Sequence, residues 1–238
     1  MIYNFPRKKR KQITNYLTFS SPNPFSIRVE TPGWDGKLYY STDTKRWVEW
    51  TGNEVNATEA DGIYALYFSG TGNTKIAGGS SYKWTLNGSS ISCTGNIESL
   101  LDYETVAAGH HPTLADSCYS SMFSDCTSLT TAPSLPATTL TYSCYSSMFS
   151  DCRSLTTVPS LPATTLTDYC YNYMFRGCTN IKLAISKSRE YDKEYRIPKS
   201  GNGVTATRAL DNMFMQTGGT FTGTPSINTT YYTSNTIV

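Results

Sequence analysis

Apolar residues recur through the second half of the chain in a pattern with a period of 26 residues. Residues 118–143 read CYSSMFSDCTSLTTAPSLPATTLTYS, and residues 144–169 read CYSSMFSDCRSLTTVPSLPATTLTDY. The two copies are identical at 22 of 26 positions, and a third copy begins at Cys170 as CYNYMFRGCTNIKL. A fixed period of this length predicts stacked units, because each unit buries its apolar side against the next one.

The order of apolar and polar residues within one copy predicts a short helix followed by a strand. Apolar residues open the copy at relative positions 0, 1, 4, 5 and 8, which corresponds to one face of a helix that Asp116 or Ser117 would cap. The threonine-rich segment 129–134 favours a strand, which Pro133 and Pro136 end. Stacking then aligns the strands as a narrow parallel sheet, with short helices on the opposite side. The opening residues of the first copy are Cys118, Tyr119, Met122, Phe123 and Cys126.

Residues 13–108 show the shorter alternation of apolar and polar residues that is typical of β-strands. The first two predicted strands form a hairpin, and the last two flank Asn87-Gly88, a strong two-residue turn signal. Several short strands with turns between them predict a small β-sandwich, followed by a short helix at 96–101. The predicted strands cover residues 37–41, 46–50, 63–68, 82–86 and 90–93.

The repeat pattern continues beyond the third copy in a weaker form. Met213-Phe214 lies 39 residues after Met174-Phe175, which is one period of 26 plus 13. We therefore interpret residues 209–217 as a degenerate closing copy, and we place an insertion near 186–203. The chain then divides into a flexible basic arm at 1–12, a β-sandwich-like domain at 13–108 and a repeat domain at 109–238.

The string MF-x-x-C-x-x-L, preceded by LPATTL, resembles the BspA-like leucine-rich repeats. The resemblance covers residues 110–183 and the closing copy, with a period longer than the commonest spacing of that family. It implies a leucine-rich-repeat solenoid, and so an α+β fold class with parallel strands on one face and short helices on the other. Members of the family resemble surface-exposed binding proteins. Thr/Pro-rich copies after a β-domain that starts with LTFSSPNPF look like proteins encoded by bacteriophages of gut bacteria.

Composition and charge narrow the classes of partner. Hydrophobic residues make up 38% of the chain and charged residues 16%, so the surface must consist largely of neutral polar groups. The net charge is +2; because the arm contributes +5, the rest carries −3, and we expect no nucleic-acid binding. No apolar stretch is long enough to predict a transmembrane helix. The arm is either a solvated tail or a peptide that orders on a larger assembly. Its basic residues are Arg7, Lys8, Lys9, Arg10 and Lys11.

Side chains capable of chemistry are few, and their spacing argues against a catalytic site. Six of the seven cysteines recur with the repeat, in pairs eight positions apart. On a helix that spacing is about 12 Å, too far for a disulfide, so we interpret them as small buried side chains. Cross-repeat disulfides or a metal site are the alternatives. His110 and His111 have no evident partner, and acidic residues do not cluster in the repeats. We therefore expect no enzyme activity, no cofactor and no metal.

Threonines of the strand side and tyrosines of the helix side and loops form the candidate binding surface. Tyrosine supplies a large, rigid contact area and a hydroxyl group, which suits the recognition of proteins or glycans. The alternative is that some of these tyrosines pack between neighbouring copies. The candidates are Thr130, Thr131, Thr156, Thr157, Tyr142, Tyr145, Tyr169, Tyr171 and Tyr173.

Three functions are compatible with these patterns. The first is a phage virion-associated protein of the tail or surface, whose N-terminal part attaches to other virion proteins and whose repeats bind a host-surface protein or glycan, with self-association expected. A chain that starts at Met1 without a signal-peptide core favours this function and a location in the virion. The second is a bacterial cell-surface adhesion or protein-interaction module outside the cell. The third is a structural spacer.

Overall fold

The computed structural model of the protein describes residues 15–238, so the basic residues at 7–11 lie outside the described residues. Strands make up 29% of the structure and helices 5%, which places the described part in the mostly-β class. The strands before the repeats are β1 (Leu17–Ser21), β2 (Ser26–Val29), β3 (Lys37–Ser41), β4 (Val48–Trp50), β5 (Val55–Asn56), β6 (Thr58–Ala60), β7 (Ile63–Thr71), β8 (Trp84–Asn87) and β9 (Ile91–Thr94). The later ones are β10 (Leu129–Thr131), β11 (Thr157–Val158), β12 (Leu183–Ala184), β13 (Lys193–Arg196), β14 (Thr230–Thr233) and β15 (Thr236–Ile237). The helices are two 3₁₀ turns, Ser80–Tyr82 and Ile97–Leu100, and the α-helix Tyr103–Ala107.

The strands before the repeats belong to two sheets that share one core. The larger sheet has the order β10-β9-β1-β7-β3-β4, with β6 also paired to β7, and the smaller has the order β5-β2-β8. Phe68 of the larger sheet meets Trp84 of the smaller sheet at a ring-centroid distance of 5.1 Å. Both side chains are buried, so large aromatic residues join the two sheets.

One of the two predicted turn pairings forms and the other does not. The hairpin of β3 and β4 is confirmed, with Leu38 opposite Trp50 and Tyr40 opposite Val48. The strands on either side of Asn87-Gly88 do not pair with each other, because β8 pairs with β2 and β9 pairs with β1. The chain therefore crosses from one sheet to the other at this turn, and each strand turns its alternate apolar residues toward the shared core.

The segments with the 0, 1, 4, 5, 8 pattern are series of consecutive turns, so the prediction of an α+β fold with short helices is wrong. In the first copy Ser117, Ser121 and Asp125 have positive φ angles of 58°, 58° and 64°, which an α-helix excludes. The N–H of Ser120 donates to the Ser117 carbonyl at 3.0 Å, which closes a turn in place of a helical bond. We call the segments 117–125, 143–151, 169–177 and 208–216 the turn ribbons. The later ribbons place Ser143, Ser147, Asp151, Tyr169, Tyr173, Gly177, Arg208, Asn212 and Gln216 in the same left-handed region.

The period of the apolar pattern explains why a ribbon forms. Positions 0, 1, 4, 5 and 8 repeat every four residues, whereas a helix has about 3.6 residues per turn. Apolar residues spaced four apart move gradually around the surface of a helix. In a series of four-residue turns the same residues all lie on one side. Serine and aspartate occupy the left-handed positions of the first two ribbons, and both residues favour turns over helix interiors.

The turn ribbons stack through backbone hydrogen bonds. The N–H of Tyr119 donates to the Cys144 carbonyl at 2.9 Å, and the N–H of Phe123 donates to the Met148 carbonyl at 2.9 Å. The third ribbon bonds to the fourth in the same manner, since the N–H of Phe175 donates to the Met213 carbonyl at 2.9 Å. Each ribbon thus uses part of its N–H groups within its own turns and directs the others to the next ribbon.

The short strands of the repeats do not form a common parallel sheet, which corrects a second part of the expected fold. β10 pairs with β9, β11 pairs with β15, and β12 pairs with β14. Pro133 and Pro159 follow closely after β10 and β11, and their missing N–H groups prevent a longer ladder. Several small sheets therefore take the place of the leucine-rich-repeat solenoid.

One hydrophobic core runs through the sheets and the turn ribbons without a break at residue 108. The rings of Phe123, Phe149 and Phe175 are stacked with centroid distances of 5.8 and 5.6 Å. The Trp84 ring lies 6.2 Å from that of Phe123, and the backbone N–H of Trp84 donates to the Met122 carbonyl at 2.8 Å. The sheets and the repeats are therefore packed against each other as one body.

A pair of substitutions at Ser147 tests the left-handed backbone of the ribbons. Ser147 has a φ of 55°, where glycine is relaxed and a β-branched residue is strained. Ser147→Val should lower the free energy of unfolding by about 2 kcal/mol. Ser147→Gly should change it by less than about 0.5 kcal/mol, because relief of strain offsets the greater freedom of the unfolded chain. Urea unfolding measures both variants, and equal losses would contradict the turn-ribbon geometry.

Candidate functional site

The threonines of the candidate surface take part in bonds between layers. The Thr130 hydroxyl donates to the Ile91 carbonyl at 3.1 Å, and the Thr156 hydroxyl donates to the Thr130 carbonyl at 3.0 Å. The Thr157 hydroxyl accepts from the N–H of Ala132 at 2.7 Å and is buried. Thr131 is half-buried. These side chains therefore connect neighbouring layers, and Thr156 is the exposed one among them.

Two of the candidate tyrosines lie in the core and not on the surface. Tyr145 and Tyr171 are 0% and 1% exposed. Tyr145 is stacked between Tyr119 and Tyr171, with centroid distances of 5.4 and 5.9 Å. Their assignment to a binding surface is corrected, because equivalent rings of successive ribbons pack face to face. Tyr173 is half-buried.

Tyr142 and Tyr169 come together at one edge of the stacked ribbons. Tyr142 is 49% exposed, and its ring centroid lies 5.6 Å from that of Tyr169. The Arg208 guanidinium carbon lies 5.8 Å from the centroid of the Tyr169 ring, within cation–π range. We call Tyr142, Tyr169 and Arg208 the tyrosine patch. The sequence pattern does not predict Arg208 as part of this surface, because Arg208 lies in the closing copy, 39 residues after Tyr169.

Backbone bonds to aspartates hold the patch in place. The N–H of Tyr142 donates to Asp116 Oδ1 at 3.2 Å, and the N–H of Thr207, which precedes Arg208, donates to Asp168 Oδ1 at 3.0 Å. The Arg208 Nε lies 3.8 Å from Asp211 Oδ2. The rings thus project from a fixed backbone, and little conformational entropy is lost when a ligand contacts them.

Three of the four differences between the first two copies fall outside the buried core. Of the four positions at which they differ, two hold Tyr142 and Tyr169 of the patch. A third replaces Thr127 with Arg153, and both of these residues are exposed. The buried apolar residues are the same except where Ala132 becomes Val158. Core packing therefore explains why most residues are the same in the two copies. Core packing does not require the differences that place Tyr142 and Tyr169 in the patch.

The cysteines are buried and free of disulfides, which confirms their interpretation as small core side chains. The Cys152 thiol donates to the Phe123 carbonyl at 2.9 Å, and the Cys178 thiol donates to the Phe149 carbonyl at 2.9 Å. These bonds add a side-chain link between successive ribbons. Within residues 15–238, no group of three or more histidine, cysteine, aspartate or glutamate side chains is arranged to hold a metal ion. Over the same range, each helix is too short and too polar to span a lipid bilayer.

Thiol labelling tests this burial. Burial raises the pKa of the Cys126, Cys144 and Cys170 thiols to about 12, which keeps them protonated at neutral pH. In the native protein we expect no rapid reaction with a thiol-specific disulfide reagent at pH 8. In denaturant all seven cysteines should react. Rapid labelling of one or more thiols in the native protein would contradict the packing of the ribbons.

A buried carboxylate and a histidine meet at the start of the repeats. Glu98 Oε2 lies 2.8 Å from His111 Nδ1, and the two side chains are 1% and 46% exposed. Burial raises the pKa of the Glu98 carboxyl, and the hydrogen bond with His111 opposes part of that rise. His111 therefore has an oriented partner, which the sequence pattern does not predict. His110 is exposed.

Glu98 and His111 line a cavity of about 290 Å³. The other walls come from residues 112–114, just before the first ribbon, and from residues 137–141, which lead to the second ribbon. Glu98 Oε1 is buried and has no hydrogen-bonding partner. In the sequence, the sign of a buried carboxylate is the single acidic residue in the mostly apolar segment IESLL. The neighbouring residues do not predict that His111 is its partner. The lining side chains are Glu98, His111, Pro112, Thr113, Leu114, Ala137, Thr138, Thr139 and Thr141.

Comparisons with known proteins give this chain no relative. No family model matches it, and neither a curated protein nor a solved structure matches it.

Proposed function

We propose that the protein is a non-enzymatic recognition protein that binds a surface glycan through the tyrosine patch. The observation that carries this proposal is the exposed ring of Tyr142 beside Tyr169, on a backbone fixed by stacked ribbons. The other exposed large apolar side chains of residues 15–238 are aliphatic, whereas aromatic rings such as those of Tyr145 and Tyr171 are used in the core. The exposed ring of Tyr142 beside the half-buried ring of Tyr169 therefore stands out as a contact surface.

The chemistry of the patch suits a hydroxyl-rich partner. Tyrosine rings pack against the C–H faces of a sugar, and their hydroxyl groups donate and accept hydrogen bonds. Arg208 adds donors over one face of the Tyr169 ring, and Asp211 lies beside the guanidinium. A protein surface with similar hydrogen-bonding groups is the second candidate ligand, because tyrosine is common in protein-binding loops.

The biological setting is a further part of the proposal. The sequence resemblance motivates a phage virion-associated protein whose N-terminal part contacts other virion proteins and whose repeats contact the host surface. A bacterial adhesion module remains the alternative for the same patch. A structural spacer would bind neither class of ligand, so the binding measurement separates it from both.

Substitution of Tyr142 tests the proposed function. Tyr142→Ala should weaken binding to intact bacterial cells, or to polysaccharides extracted from them, by at least about tenfold, the usual effect of removing a central aromatic anchor. Tyr142→Phe should retain most of the binding if stacking dominates. The exposed residue Thr164 supplies the matched control, and Thr164→Ala should have no effect. Equal binding by Tyr142→Ala and the unchanged protein would overturn the proposal.

A further inference from the structure

We propose that the cavity lined by Glu98 and His111 binds a single neutral sugar unit, with sugar hydroxyl groups donating to these two side chains. The proposal rests on the proposed function, because it assigns a pocket for one residue of the same glycan. It names a site separate from the tyrosine patch, and the two sites are tested separately below.

The carboxylate of Glu98 supplies an unused acceptor. Its Oε2 is engaged by His111, whereas its Oε1 is buried without a partner. Leaving a buried acceptor without a hydrogen bond costs about 1–3 kcal/mol, and more when the group is charged. Such a group in a folded protein calls for an explanation. Neighbouring atoms cover Oε1, so a ligand in the cavity must displace part of that cover before it donates a hydrogen bond to Glu98, and the new bond then removes this cost.

The imidazole of His111 supplies a second acceptor. In the neutral ring, the carboxylate at 2.8 Å keeps the proton on Nδ1, so Nε2 carries the lone pair. The ring is 46% exposed and lies at the rim of the cavity. Glu98 and His111 can therefore both accept hydrogen bonds from the hydroxyl groups of a ligand.

The remaining walls match a sugar ring and not a long polar chain. Four threonines line the cavity together with Leu114, Ala137 and Pro112. A sugar ring presents both hydroxyl groups and C–H faces, so this mixture fits it. The volume of about 290 Å³ lies at the lower end of the range for small-molecule sites, which limits the ligand to about one ring.

The site suits a neutral ligand better than an anionic one. The Glu98 carboxylate lies beside a neutral imidazole, so the pair carries a negative charge that repels a carboxylate or phosphate group. A neutral sugar brings hydroxyl donors without that repulsion.

The cavity and the tyrosine patch share one segment of chain. Thr141 lines the cavity, and Tyr142 of the patch is the next residue. The Thr141 hydroxyl donates to the Ala115 carbonyl at 2.8 Å, and Asp116 accepts from the N–H of Tyr142. A glycan lying across the patch therefore has a pocket beside it for one of its units.

Ligand-detected NMR with a panel of methyl glycosides tests the site in the full chain. The panel contains the methyl glycosides of glucose, galactose, mannose, N-acetylglucosamine and rhamnose, and the same spectra follow each variant. We expect at least one of them to bind with millimolar affinity. Glu98→Gln and His111→Ala should each weaken that binding by at least about tenfold, while the neighbouring exposed pair Glu104→Gln and His110→Ala should leave it unchanged.

The outcomes separate the two proposals. Tyr142→Ala should keep methyl glycoside binding while it loses polysaccharide binding. If no methyl glycoside binds to a protein that still binds polysaccharide, the cavity proposal is overturned and the tyrosine patch stands. Binding that survives both Glu98→Gln and His111→Ala also overturns it. Because Glu98 is buried, its variant is first checked by thermal unfolding, and His111→Ala at the rim carries the test if Glu98→Gln does not fold.

Discussion

Replacing Phe149 with alanine should lower the free energy of unfolding by about 3–5 kcal/mol, the usual loss for a fully buried phenylalanine. Phe149 is 0% exposed and lies in the middle of the aromatic stack, between Phe123 and Phe175. No neighbouring ribbon can move into the space, because backbone hydrogen bonds fix the separation of the layers. A loss of this size is a large part of the stability of an ordinary domain.

The position of the tryptophans makes this experiment informative about the whole chain. The four tryptophans all precede residue 108, whereas Phe149 lies in the second ribbon. If the core is one unit, the unfolding curve followed by tryptophan fluorescence should shift by the full amount. Phe149→Leu should cost about 1.5 kcal/mol or less, and the surface change Thr164→Ala less than about 0.5 kcal/mol. A tryptophan transition that does not shift would show that the sheets and the ribbons unfold independently.

Dividing the chain after Ala108 should leave neither part folded on its own. The first part would lose β10 from the edge of its larger sheet. The backbone N–H of Trp84 would also lose its acceptor, the Met122 carbonyl. The buried faces of Cys118, Tyr119 and Phe123 would become exposed in the second part. At about 25 cal/mol per Å² of apolar surface, exposing several such side chains exceeds the stability expected of a small domain.

The measurement is the circular dichroism and tryptophan fluorescence of residues 1–108 and 109–238, purified separately and then mixed. We expect unfolded spectra for each fragment, and recovery of native fluorescence after mixing. A cooperative unfolding transition in residues 1–108 alone would contradict the continuous core.

Parts of this structure could be predicted from the sequence because they depend on local patterns. The β3–β4 hairpin follows from alternating residues around a turn, and the burial of the cysteines follows from their constant spacing. The short helix expected at 96–101 appears as the 3₁₀ turn Ile97–Leu100. In each case neighbours in the sequence supply the relevant contacts.

The turn ribbons were misjudged because two structures share nearly the same apolar pattern. Over nine residues, a period of four and a period of 3.6 differ little. The residues that decide between them are the polar ones, Ser117, Ser121 and Asp125, which adopt left-handed angles. The exposure of tyrosines was equally hard to judge, since Tyr142 and Tyr145 are three residues apart and have opposite environments.

The site residues were missed for a different reason, which is that their partners are distant along the chain. Glu98 contacts His111 at a sequence separation of 13, and the intervening segment includes the helix Tyr103–Ala107. Arg208 reaches Tyr169 because the closing ribbon stacks at an offset longer than the regular period. Neither pairing follows from composition or spacing, because both depend on how layers are placed in space.

The backbone N–H groups that one ribbon donates to the next would allow the number of ribbons to change. Neighbouring ribbons bind each other through backbone N–H and carbonyl groups, and every residue except proline has both groups. The ribbon of an additional copy can therefore meet its neighbours through the same bonds, whereas its short strand needs a partner outside the repeats, as β10, β11 and β12 have. Each added copy also brings one more outward position equivalent to Tyr142, whose side chain is free to differ. The number of surface positions available to a ligand can thus increase by one per copy, while the core residues of the ribbons stay the same.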